Sequence, residues 1–122
     1  LARVDPHKRA IVAAAVYSIV TGRRVAGVND QAAGRHLWIA AECLGDRVHI
    51  YDGERRAWFG GTLPELCDHD GDAFLSLTRD GATIHARDWT AAGSCTATAD
   101  DRTVLIFDVD EQVSFAFAIQ MA

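Results

Sequence analysis

From Val25 onward one unit recurs five times: a short run that ends in Asp, a turn of polar or small residues, and a second run. The terminal aspartates are Asp30, Asp52, Asp70, Asp88 and Asp108, 18–22 residues apart, and the segments leading into them align as GVND, HIYD, CDHD, HARD and LIFD. Four residues before the Asp stands an apolar residue in four units (Val48, Leu66, Ile84, Val104), and seven after it come Leu37, Phe59, Leu77, Cys95 and Phe115. A period this short, with room for two strands and two turns, is a β-hairpin repeat. It predicts about ten short antiparallel strands over residues 25–120.

The joints between hairpins are as short as the turns within them. Gly45-Asp46, Asp80-Gly81 and Asp100-Asp101 read as two-residue turns, with Leu63-Pro64-Glu65 as the irregular joint. If Asp80-Gly81 form a type I′ turn, Leu77 faces Ile84 and Ser76 faces His85. Centring the next turn on Asp100-Asp101 sets Ala97 against Val104 and Thr96 against Leu105. Side chains alternate along a strand, so this register collects Ile39, Ala41, Val48, Ile50, Phe59, Leu75, Leu77, Ile84, Ala86, Cys95, Ala97, Val104, Ile106, Val113, Phe115 and Phe117 on one core face.

Before the repeat, Asp5-Pro6 reads as an N-cap with proline in the first turn and Gly22 as the residue past a helix end, which predicts a helix over 6–21. Ile11, Val12, Val16, Ile19 and Val20 give it an apolar side. Ten strands leave two raw edges unless the sheet curls and closes, and this helix is available to plug or cover it. The expected fold is α+β and mostly antiparallel β. It has one N-terminal helix against the core face of a barrel or half-barrel, with an open sheet as the alternative. At 122 residues and 49% hydrophobic the whole chain, 1–122, is expected to make one domain.

A net charge of −5 with no basic block is a poor match to phosphate backbones or anionic lipid, so neither nucleic acid nor a membrane surface is an expected partner. The apolar run Ala10–Val20 is about half a membrane span, and with Asp5 before it and Arg23-Arg24 after it, it reads as a helix and not as a secretory signal. Cys43, Cys67 and Cys95 are odd in number and lack CxxC spacing, which argues against a disulfide framework or structural zinc and for a cytoplasmic location.

On the face away from the core the register draws two lanes across the strands. One holds Glu42, His49, Cys67, Ser76 and His85, where Glu42 beside His49 or Ser76 beside His85 would make a small hydrolase. Residues two strands apart lie about 9–10 Å from each other, so Cys67 and His85 cannot act as a pair, and the plain account of this lane is a solvated sheet face. The other holds Tyr51, Trp58, His69, Phe74 and Arg87. Contiguous exposed rings mark contact sites, so this lane is the expected surface for a small molecule or protein partner; its plain account is that the helix covers it or that the rings only brace the sheet.

A third candidate is Asp68-His69-Asp70-Gly71-Asp72-Ala73-Phe74-Leu75, which resembles the opening of an EF-hand calcium loop, although Ala73 stands at the sharp-turn glycine and Arg79 where the bidentate Glu belongs. The resemblance implies Ca²⁺ held by Asp68, Asp70 and Asp72 within an aspartate-rich rim. The plain account is that Asp caps turns with its own carboxylate. No phosphate loop, dinucleotide fingerprint, HExxH or G-x-S-x-G motif is present. The favoured reading is therefore a non-catalytic binding module. Leu105 and Phe107, on the face away from the core, leave self-association open.

Overall fold

The hairpin repeat closes on itself. In the computed structural model, which describes residues 6–68, 74–89 and 93–122, the helix α1 (Pro6–Thr21) precedes eleven strands. They are β1 (Val25–Asp30), β2 (Arg35–Leu37), β3 (Ile39–Leu44), β4 (Arg47–Asp52), β5 (Ala57–Thr62), β6 (Glu65–Asp68), β7 (Phe74–Asp80), β8 (Thr83–Asp88), β9 (Gly93–Ala99), β10 (Thr103–Asp108) and β11 (Val113–Met121). From β3 to β11 each strand pairs antiparallel with the next in the chain, β1 pairs with both β2 and β3, and β11 returns to pair with β1 through Val28↔Ile119 and Asp30↔Phe117. The edges that an open meander would leave are consumed by that pairing.

Eleven strands, not ten, arise because Trp38 breaks the second strand of the first unit. Both β2 and β3 face β1, through Val28↔Leu37 and Val25↔Ala41, so together they fill one place in a ten-place wall. At the break the Trp38 carbonyl accepts a hydrogen bond from the Gly53 N–H (2.7 Å), which ties that backbone to the β4–β5 turn.

The β7–β8 register differs by two residues from the expected one: Leu77 faces Ala86, and Asp80 faces Thr83. Only Gly81 among the turn residues has positive φ (62°), the pattern of a type II′ turn centred on Gly81-Ala82. The β9–β10 turn is displaced in the same sense, with Val104 facing Ala99. There Asp100 precedes the bend and accepts from the N–H groups of Arg102 and Thr103 (3.0 and 2.8 Å). In both turns the Asp occupies the position before the central pair. A shift of two leaves every side chain on its own face, so the core set survives: fourteen of the sixteen expected residues are buried, Phe115 is half-buried and Val113 is exposed.

The helix is not one-sided. Ala10 through Ser18 are all at most 1% exposed, Ala13, Ala14 and Ala15 included. A helix buried on every side lies inside its domain, and since β11 closes the wall onto β1 that inside is the lumen, where α1 touches β1, β3, β4, β9, β10 and β11. An eight-strand barrel is filled by its own side chains, and ten strands leave room for more. The alanines that add no apolar stripe are what let the rod fit. Tyr17, the largest fully buried side chain, satisfies its hydroxyl by donating to the Asp101 carbonyl (2.6 Å). No helix among the described residues is long and apolar enough to cross a membrane.

Candidate functional site

Strand parity decides what the repeat aspartates do. Val48, Ile50 and Asp52 point into the barrel, as do Ile84, Ala86, Asp88 and Val104, Ile106, Asp108. Each Asp is thus the last inward residue of its strand, and Asp30, Asp52, Asp88 and Asp108 are buried at one rim. Three of these carboxylates close the turns that follow them. Asp52 Oδ1 accepts from the N–H groups of Glu54 and Arg55 (3.0 and 3.3 Å), Asp108 Oδ1 from Asp110 and Glu111 (both 3.0 Å), and Asp30 Oδ1 from Ala33 (3.1 Å). The first turn of α1 enters this rim, with Lys8 Nζ 2.9 Å from Asp88 Oδ2 and the Arg9 guanidinium 3.6 Å over the Phe115 ring. Cations at a helix N-terminus oppose the helix dipole; here the buried carboxylates offset that cost.

All four of these aspartates are inward; Asp30, Asp52 and Asp108 are engaged in turns, and Asp88 in the contact with Lys8. Of the proposed calcium ligands, Asp70 and Asp72 lie outside the described residues, as does His69, and Asp68 ends β6. Among the described residues no group of three or more His, Cys, Asp or Glu is placed to hold a metal.

The polar lane divides. Glu42 faces His49 across β3 and β4, as expected. Ser76 does not face His85: it stands opposite Arg87, while His85 stands between Thr78 and Thr96. Ser76 Oγ instead accepts from the Trp89 indole N–H (3.0 Å). Cys67 is exposed opposite Gly60 and Phe74. Cys95 is buried, and burial first, then the nearby Asp108, pushes its thiol up to about 12, which keeps it protonated and unreactive at neutral pH.

The aromatic lane divides too, across the width of the wall. Tyr51 faces Trp58, and their rings meet at 4.7 Å with a 52° tilt. Trp38 adds a third ring, edge-on to Tyr51 at 5.9 Å, and its indole lies so close over Gly53 that a Cβ there would collide with it. Glu54 holds this corner by accepting from Arg35 Nη2 (3.1 Å) and the Trp38 N–H (3.4 Å). Arg87 is elsewhere, on β8, stacked 4.1 Å over Trp89. Three strand spacings separate β5 from β8, about 14 Å along the wall. Phe74 begins β7 opposite Cys67.

What the structure brings together is one groove of about 250 Å³ on the outer wall, lined by Arg24, Ala40, Glu42, His49, Tyr51 and Trp58 beside the α1–β1 link. It joins part of each expected lane. Trp58 is 54% and Trp38 57% exposed, so the rings are not sealed beneath the helix. The sequence reading left out three residues of the outer wall, one in the groove and two among the exposed rings. Arg24 precedes the repeat and carries no signal. Trp38 follows the inward Leu37, so its outward position was available from parity. Trp89 shares a face with Arg87 at i, i+2, which the Asp88 turn hid. A second apolar surface, Leu105 (51% exposed) with Phe107, lies on the outside of β10. Comparison of the chain with protein-family models, with curated proteins and with solved structures finds no match in any of the three.

Proposed function

We propose that this protein is a non-catalytic binding module that takes a small ligand or a protein side chain on the outside of its barrel, in the groove of β3, β4 and β5. Barrels of this size commonly hold their ligand in the lumen; here α1 occupies that space, which directs recognition outward. The observation that carries the reading is the Tyr51–Trp58 pair, half in solvent at the edge of a groove that also holds Glu42, His49 and Arg24. Exposed large rings next to a few polar groups are what a binding site requires and what a sheet face does not need. Three free cysteines, Cys43, Cys67 and Cys95, fit a reducing compartment and support a cytoplasmic location.

The test is Trp58→Ala and Tyr51→Ala, each compared with the parent chain by thermal melt and by amide chemical shifts in a small-molecule fragment titration. The expected result is an unchanged fold for Trp58→Ala and loss of the fragment-induced shifts at β3–β5. Unfolding of Trp58→Ala, or shifts that persist in it, would remove the groove from consideration.

A further inference from the structure

The groove has features that narrow its ligand class. Its two charged side chains are of opposite sign: Glu42 offers a carboxylate that only accepts at neutral pH, Arg24 a guanidinium that only donates, and His49 lies beside Glu42 with a ring nitrogen of each kind when neutral. A ligand of either net charge meets one repulsive partner. A neutral ligand bearing groups that both donate and accept meets none.

Its apolar wall is equally selective. Tyr51 and Trp58 are in contact and tilted by 52°, so no slot lies between them into which a flat heterocycle could slide with both faces covered. Trp58, 54% exposed, is the ring open to one face of a ligand, with Tyr51 packed against it. A peptide strand would need unpaired backbone groups to add to a sheet, and β4, which carries His49 and Tyr51, is paired along its whole length with β3 and with β5. A helix would need a longer channel than about 250 Å³ provides.

We infer that the groove binds a neutral saccharide, one face of a pyranose ring lying on Trp58 beside Tyr51 and its hydroxyls bonding to Glu42, His49 and Arg24. The inference rests on the reading of this groove as a ligand site and deepens it. A sugar ring has axial C–H bonds on one face, attracted by the negative face of an indole, and a rim of hydroxyls that each donate and accept.

One ring and a few hydrogen bonds at an open site give a dissociation constant on the order of millimolar. The experiment is an amide chemical-shift titration of the labelled protein with glucose, mannose, galactose, N-acetylglucosamine and cellobiose at tens of millimolar, with adenosine and a Trp-containing tripeptide as comparison probes. The expected result is saturable shifts from at least one sugar at β3–β5 and near Arg24. Trp58→Ala should weaken it at least tenfold and Glu42→Gln severalfold, with both variants melting like the parent. If no sugar gives saturable shifts but adenosine or the tripeptide moves the same resonances, the saccharide inference fails and the groove stands as a binding site. If no probe moves them, both fail.

Discussion

Replacing Ala13, Ala14 and Ala15 with leucine, one at a time, tests whether α1 is surrounded. Successive helical residues are about 100° apart, so these three sweep about 200° around the axis. A helix lying on a sheet with one side in solvent would point at least one of them outward. In this barrel all three are 0% exposed. Leucine is nearly as good a helix former as alanine, so helix propensity does not cloud the comparison. Forcing three more carbons into a filled lumen costs about 1–3 kcal/mol per substitution. With an unfolding entropy of about 2.1 cal/mol/K per residue, a chain of 122 residues loses about 4–12 °C of Tm for that cost. The assay is a thermal melt by circular dichroism, with a denaturant titration as a second measure. All three variants should fall. One that melts at or above the parent temperature would place that side of the helix in solvent and refute the lumenal plug.

Three further outcomes follow from the same geometry. Gly53→Ala should drive the Trp38 indole off the turn, seen as altered tryptophan emission with only a modest loss of stability, because the colliding group is an exposed side chain. Asp108→Ala should destabilise by about 1–3 kcal/mol, since two backbone N–H groups lose their acceptor at a buried position, and a urea midpoint will read it. For Cys95, the folded-state value near 12 lies above the ordinary value of 9.0, so folding favours the protonated thiol: its contribution is fully present below pH 9 and is lost as pH rises from 9 toward 12. Cys95→Ala should flatten that alkaline decline, and a thiol reagent should label Cys67 in the native state but Cys95 only after unfolding.

Much of the wall was legible because its signal has period two. The turns beside Asp80 and Asp100 were misplaced, yet an even shift kept Leu77 and Ile84 inside, and the core set was insensitive to the error. The candidate lanes were not insensitive. They depend on which residue stands opposite which, so the same shift parted Ser76 from His85, while Arg87 lies three strands from Trp58 in either register. Tyr51 opposite Trp58 was recovered because the turn between them keeps the expected register. The inward aspartates were readable from parity, two residues beyond Ile50, Ala86 and Ile106, but Asp in a turn has a second good explanation in capping. The all-round burial of α1 was hidden by alanine, which marks no face. Its sufficiency as a plug depends on the lumen width, a property of ring closure that no single segment encodes.

That closure also sets an order of events. The seam is made between β1, which follows directly on the helix, and β11, the last strand of the wall. A ribosome would release the Ala-rich rod first, when nothing exists to enclose it, and a lone helix of sixteen residues is marginal in water. Each hairpin that emerges can form locally, but none can shield the rod completely until the final strand docks against the first. Assembly is then governed by a contact between distant parts of the chain, the kind that slows folding. Removing β11 should therefore not yield a smaller barrel but a chain with an unwrapped centre.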